Sequence, residues 1–378
     1  MKIRTITTGF NLEVPLNKGQ ITRIASLTKK LKNVFENEGY TVQTVRISTQ
    51  PWEQYFQSKE QIINLVGELE VFTKDLNIDY FSVGMTKNPK IIPMTYDMIS
   101  NTSKMFCSAQ VCDDKKINYE AARATAEVIK KNSNISSNGF DNLRFAALFN
   151  TKSSSPFYPA SYHEGPISFA VGTENSDLVY KAFSKAKSME RAGMFLQDTL
   201  MEEFTKIENI GKNFSRNEKV KYNGIDVSIA TSVNPDESIA YAFEKLGIGR
   251  FGEAGTLAVS RLITETLERL NLKKCGYSGL MLPVLEDYGL SKRNIEGSYN
   301  ITNLLLYSTV CGTGIDTAPL PGNVTEEKIF ALLLDVATLS IKLDKPLSAR
   351  LMPVPNKNVG DMTNFGFEYF TNTKIMEI

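Results

Sequence analysis

The sequence predicts an α/β protein built on a largely parallel sheet. Strand and helix patterns alternate along most of the chain, the pace expected of βαβ units. The composition is that of a globular protein: 378 residues, 42% hydrophobic and 22% charged, long enough to bury a large core without disulfides. No repeat of 20–50 residues, low-complexity tract or Pro-rich linker interrupts it, so residues 1–378 are read as a single domain.

Lys2 to Thr8 has the β-branched content of a first strand. Ile21, Ile24, Leu27, Leu31 and Phe35 follow at helical spacing, closed by Gly39. Thr41 to Ser48 is a second strand. A helix through Ile62, Val66, Leu69 and Phe72 leads to a third, Tyr80 to Gly84. The apolar run Met105 to Val111, a helix from Tyr119 to Lys131 and a strand from Leu143 to Phe149 continue the pattern. Met189, Ala192, Leu196, Leu200, Phe204 and Ile207 form a helical stripe that Gly211 is expected to end. Asn234 and Pro235 open a helix to Leu246, and another spans Ala254 to Leu270. Thr325 caps a helix with Glu326 and Glu327 in its first turn, and Leu347 to Leu351 is a last strand.

Several classes are excluded by charge and residue usage. Lys plus Arg number 43 against 42 Asp plus Glu, which gives no reason to expect nucleic acid or an anionic membrane as partner. No apolar stretch reaches membrane-spanning length, and the N-terminus lacks a signal-peptide pattern. Four cysteines without a C-x-x-C pair fit a reducing cytoplasm, and one histidine excludes His-rich metal sites. No metal or cofactor is assigned. A homodimer is the expected assembly for a neutral protein of this size.

Four stretches could carry chemistry. Tyr162, His163 and Glu164 lie in a Ser/Pro-rich loop after a strand, where a phenol, an imidazole and a carboxylate suit proton transfer. The other reading is a buried loop whose imidazole bonds a carbonyl. Gly247-Ile248-Gly249-Arg250-Phe251-Gly252 matches G-x-G-x-x-G but follows a helix, so a dinucleotide site is rejected on context. Arg250 and Gly252 remain candidates for holding a small anion before the next helix, with a structural role open. Cys311-Gly312-Thr313-Gly314-Ile315-Asp316, in a Gly/Pro-rich loop that runs on to Gly322, offers a thiol nucleophile, a carboxylate and glycines that admit close backbone approach. Cys311 equally suits an inert buried thiol, and Asp316 a turn or cap. Arg350 stands in a strand otherwise fit for burial and needs an anionic partner, for which Glu286, Asp287, Asp316 or a ligand would serve. Asp287 equally suits a cap for the helix after it.

Long blocks then resemble a known family: NLRFAALFN from Asn142, FYPASYHEG from Phe157, GIGRFGEAGTLA from Gly247, GYSGLMLPVLED from Gly276, YSTVCGTGIDTAPLPG from Tyr307 and ARLMPVPNK from Ala349. They resemble the uncharacterised UPF-0210 family, also described as domain of unknown function 711. The resemblance implies the fold of the pyruvate formate-lyase-like glycyl radical enzymes, a closed ten-stranded α/β barrel of two parallel halves set antiparallel. It implies no activity. Gly360 and Gly366 lack the setting of a radical glycine, and paired active-site cysteines are absent, so radical chemistry is not expected.

The expectation is a barrel pocket where the stretches around His163, Arg250 and Cys311 converge. A non-radical enzyme would act there on a small anionic carbonyl compound. Arg250 or Arg350 would hold the anion with Tyr162, Gly252, Gly312 and Gly314, while His163, Glu164, Cys311 and Asp316 would do the chemistry. The alternative is a sensor or assembly protein that grips a small anionic ligand without turning it over.

Overall fold

The computed structural model describes residues 1–186 and 188–378. Its strands are β1 (Lys2–Gly9), β2 (Val45–Ser48), β3 (Tyr80–Thr86), β4 (Met105–Asp113), β5 (Lys116–Ile117), β6 (Phe145–Phe149), β7 (Ser168–Glu174), β8 (Lys221–Ala230), β9 (Gly314–Pro321) and β10 (Leu347–Val354). The helices are α1 (Lys18–Asn37), α2 (Lys59–Asp75), α3 (Met94–Ser100), α4 (Tyr119–Asn132), α5 (Ser176–Lys185), α6 (Met189–Glu218), α7 (Ile239–Glu244), α8 (Thr256–Arg269), α9 (Tyr288–Glu296), α10 (Ile301–Tyr307) and α11 (Glu326–Leu343). No helix is long and apolar enough to cross a membrane among the described residues.

All ten strands belong to one sheet, in the order β8-β7-β1-β2-β3-β4-β6-β10-β9, with β5 hairpinned onto β4. β1, β2, β3, β4 and β6 run parallel as one block. The pairs β7–β8 and β10–β9 are also parallel, and they meet that block antiparallel at β1–β7 and β6–β10. Residues 273–284 lie against both end strands. Ile229 N donates to Gly279 O at 3.1 Å on the β8 side, while Gly312 N donates to Leu280 O at 2.7 Å and Val284 N to Asp316 O at 3.0 Å on the β9 side. These contacts include only isolated parallel bridges, not a continuous ladder. β6, β7 and β10 are buried along their whole length, as strands covered on both faces must be.

Helix ends follow local chemistry. Asn17, Ser58, Asn118, Ser188, Asp287 and Thr325 each accept a backbone N–H of the first turn, satisfying a donor that would otherwise be orphaned. Three readings from sequence need correction. Gly211 does not end α6, which runs to Glu218; a Cβ there would sit 2.8 Å from the Tyr222 ring, so the glycine lets the helix pack on β8. The helix from Pro235 is a short 3-10 turn, after which Ser238 caps a separate α7. Gly314 to Pro321, read as a loop, is β9, because its prolines leave the pairing to β10 intact.

Candidate functional site

Two interior segments define a cavity. The connection from β6 to β7, residues 150–167, crosses the sheet: Thr7 Oγ1 donates to Pro156 O at 2.9 Å, Ser82 Oγ to Ser161 O at 2.7 Å, His163 N to Thr49 O at 2.8 Å, and Tyr158 Oη to Ile47 O. The C-terminal stretch folds back over the sheet, with Thr371 N on Leu285 O at 2.8 Å and Met376 N on Pro319 O at 2.9 Å. Between them lies a space of about 120 Å³ to the centre of a water molecule. Phe157 to Ala160 of the first segment and Phe367 and Tyr369 of the second line it, together with Phe106, Leu143 and Met281.

The charged lining comes from strands. Arg4 on β1 and Arg350 on β10 both sit where pairing with the neighbouring strand shifts register, a device that re-aims side chains. Arg350 Nε donates to Asp316 Oδ1 at 2.7 Å, and its Nη2 to Asp316 Oδ2 at 3.0 Å and Glu286 Oε1 at 2.5 Å. Glu286 Oε2 then takes Arg4 Nη2 at 3.3 Å, and Arg4 Nη1 reaches Glu174 Oε2 at 2.8 Å. Five side chains thus form one alternating chain of charge. Burial opposes the cation at Arg350, but the Asp316 and Glu286 carboxylates outweigh it and raise its pKa.

Arg46 on β2 is different. Its Nε donates to Thr44 Oγ1 at 3.0 Å, and its guanidinium lies over the rings of Tyr158 (4.9 Å) and Tyr80 (5.6 Å). Among the described residues neither Nη atom has a hydrogen-bond partner and no carboxylate forms a salt bridge with it. Burial pulls its pKa down to about 10, with the Arg4 charge adding to the effect, so it remains a cation at neutral pH. Gln43 Oε1 and Thr313 Oγ1, on cavity-lining residues, are buried without a partner among the described residues, while the Tyr277 hydroxyl lies beside those of Ser348 and Thr151. A site that leaves a cation without a carboxylate partner is chemically suited to hold an anion.

The expected convergence of three stretches does not occur. Asp316 and Arg350 line the cavity, and Thr313 with them. Arg250 stands on the surface, its side chain 63% exposed and 3.7 Å from Glu296, because the loop it occupies is held to α9 and α10 rather than turned inward. Gly252 packs in that loop, its N–H on Thr256 Oγ1 at 2.9 Å and its carbonyl taking Tyr307 Oη at 3.4 Å. Cys311 is buried outside the cavity, its sulfur accepting Gly314 N at 3.5 Å and its carbonyl taking Lys345 Nζ. Gly312 and Gly314 serve close backbone packing, against Gly279 and Ser348.

His163, within the 150–167 segment, lines a separate polar chamber with Thr7, Ser48, Ser161 and Ser168. Its Nε2 bonds Gly165 O at 2.9 Å, and Ser168 Oγ lies 3.4 Å from Nδ1. Burial lowers its pKa, so the ring is neutral. Tyr162 Oη donates to Thr151 O at 3.1 Å, and Glu164 is exposed. Asp287 caps α9 through Leu290 N at 2.9 Å and also takes Ile239 N at 2.7 Å. Sequence reasoning missed Arg46, Arg4, Tyr277 and Gln43. The signal for Arg46 was present, since an arginine within the strand pattern TVQTVRIS poses the same question that Arg350 does. No group of three His, Cys, Asp or Glu side chains is placed to hold a metal ion among the described residues.

Residues 1–368 match the family model described as an uncharacterised ACR, DUF711. A UPF0210 protein of Clostridium botulinum (strain Eklund 17B / Type B) is 26% identical over 399 residues, covering 97% of this chain and 88% of that protein. One from Methanococcus aeolicus is 26% identical over 408 residues with the same coverage. Among solved structures, an anaerobic ribonucleotide reductase aligns with a TM-score of 0.42 and 10% identity over 92% of this chain and 70% of that one. The match across nearly the whole length places this chain in the DUF711 family.

Proposed function

We propose that the cavity binds a small anionic carbonyl compound through Arg46, and that the protein is an enzyme acting on it without radical chemistry. The observation that carries this reading is the unmatched guanidinium. Buried Arg350 holds two carboxylates, whereas half-buried Arg46 holds none, which leaves its guanidinium for a ligand to neutralise. Aromatic and aliphatic walls suit the body of an organic acid, while Asp316 and Glu286 bring carboxylates to the same space. Gly360 and Gly366 are exposed on the C-terminal stretch and neither lines the cavity, which supports chemistry without a glycyl radical. In this reading residues 273–284 act as the stave that joins β8 to β9 and closes the sheet into a barrel around the cavity.

A second reading is favoured by one observation: both cavity carboxylates already accept Arg350, an arrangement suited to gripping a ligand without turning it over. The test is calorimetric titration with benzoylformate followed by a search for its turnover. Wild type should bind, and Arg46→Met should lose at least about tenfold in affinity, the value of one charge-assisted contact. Equal affinity of the two would refute the pocket assignment. Asp316→Asn should keep binding and lose turnover if the protein is an enzyme; under the second reading there is no turnover to lose.

A further inference from the structure

The C-terminal stretch forms a loop that is pinned at its base and unbonded at its tip. Thr363 N donates to Thr373 O at 2.8 Å and Phe365 N to Asn372 Oδ1 at 2.8 Å, so the two arms of the loop hold each other. The second arm is also tied to α9. Thr373 Oγ1 donates to Ser291 O at 2.6 Å, and Asn294 Nδ2 to Lys374 O at 2.6 Å. Phe365 and Phe370 seal the base, both buried and packed edge to face at 5.3 Å. The tip, Gly366-Phe367-Glu368-Tyr369, differs. Among the described residues its backbone makes one hydrogen bond, from Phe370 N to Phe367 O at 3.0 Å, which stays inside the turn. A Cβ at Gly366 would meet nothing within 4 Å.

The tip rests instead on aromatic contacts. Phe367 leans on Phe140 at 5.1 Å, and the Arg4 guanidinium lies 5.0 Å from the centre of the Tyr369 ring. Such contacts are weaker and less directional than the hydrogen bonds of the base, so the tip is the part of the cavity wall that lifts at least cost. Both of its rings line the cavity. Rings held by the rest of the fold line it too. Phe106 on β4 packs on Tyr80 at 5.4 Å and on Tyr158 at 5.1 Å, and those two tyrosines carry the Arg46 guanidinium. A ligand whose carboxylate sits on Arg46 therefore has its body among rings fixed by the sheet and rings carried by the tip.

We infer that the Gly366–Tyr369 tip is an aromatic lid over the anion pocket, and that Phe367 and Tyr369 on it select acids whose body is an aromatic ring. This rests on the pocket proposed above and adds to it the class of ligand it takes. The test titrates benzoylformate and cyclohexylglyoxylate, which share the oxo acid and differ in whether the ring is flat and aromatic. Wild type should prefer benzoylformate by about fivefold or more, the worth of two ring–ring contacts. Phe367→Leu keeps apolar bulk and should cut that preference at least about twofold, leaving cyclohexylglyoxylate affinity within about twofold. Hydrogen exchange of the wild type reads the lid itself. Saturating benzoylformate should slow the Phe370 amide at least about tenfold and leave the Thr363 and Thr373 amides of the base within about twofold. Arg46→Met should weaken both acids alike. A wild type that does not discriminate, a full preference kept by Phe367→Leu, or a Phe370 amide unmoved by benzoylformate would overturn the lid while leaving the pocket in place, provided Arg46→Met still weakens both acids. If neither acid binds, or Arg46→Met changes nothing, the pocket assignment fails and the lid with it. The exchange measurement needs no variant, so it keeps the test valid should Phe367→Leu fold poorly.

Discussion

Arg350 and Arg46 reach the same cavity from different strands and stand in opposite electrostatic states. Arg350 holds two carboxylates, and Glu286 passes the contact on to Arg4, so that side of the cavity is neutralised before any ligand arrives. Arg46 has only a threonine hydroxyl and two tyrosine faces. Arg46 is only half-buried, so its desolvation is partial, and the aromatic faces offset some of that cost, about 0.5–2 kcal/mol. The difference separates a cation that holds the fold together from one kept for something else.

The comparison breaks if the two arginines prove interchangeable. Arg350→Met should destabilise the protein by roughly 3–5 kcal/mol, since it strands Asp316 and Glu286 in a mostly buried setting; urea unfolding measures this. A smaller loss, roughly 1.5–3 kcal/mol, is expected for Glu286→Gln, which weakens charge-assisted bonds to Arg350 and Arg4 together. Arg46→Met should change stability by less than about 1 kcal/mol in either direction while removing anion binding. A loss as large as that of Arg350→Met would mean Arg46 is structural.

His163 sharpens the contrast as a buried titratable group kept neutral. Its folded pKa lies below the unfolded value of about 6.5, so the unfolded chain binds the proton more readily. Its contribution to stability is therefore present above pH 6.5 and is lost as pH falls below that value. Thermal unfolding of wild type and His163→Gln across pH 5–8 should show the gap between them narrowing toward acid, by at most about 1.4 kcal/mol per pH unit. A gap independent of pH would show that the imidazole does not titrate differently on folding.

The fold was legible where apolar periodicity was strong and unbroken. β1 to β4, β6 and most long helices stand where the spacing of isoleucine, leucine and phenylalanine put them. β7 and β8 passed unread, and β9 was taken for a loop because Gly314, Pro319 and Pro321 carry turn chemistry that the pairing with β10 overrides. At the site, the argument that a guanidinium inside a buried strand needs an anion named Glu286, Asp287, Asp316 or a ligand for Arg350; Glu286 and Asp316 are there, while Asp287 caps α9 instead. Reasoning from rare residue types did worse. The lone histidine and Cys311 drew attention because they are chemically distinctive, yet each is absorbed by local hydrogen bonds outside the cavity. What composition cannot reveal is which charged side chain lacks a counter-charge, and that property marks Arg46.

The most direct measurement is a crystal soaked in 4-bromobenzoylformate, with the bromine located by its anomalous scattering. The account predicts one molecule in the cavity, its carboxylate on the two Nη atoms of Arg46 and its ring among Phe106, Tyr158 and Phe367. A bromine found elsewhere, or a carboxylate seated on Arg350 with Arg46 untouched, would contradict it.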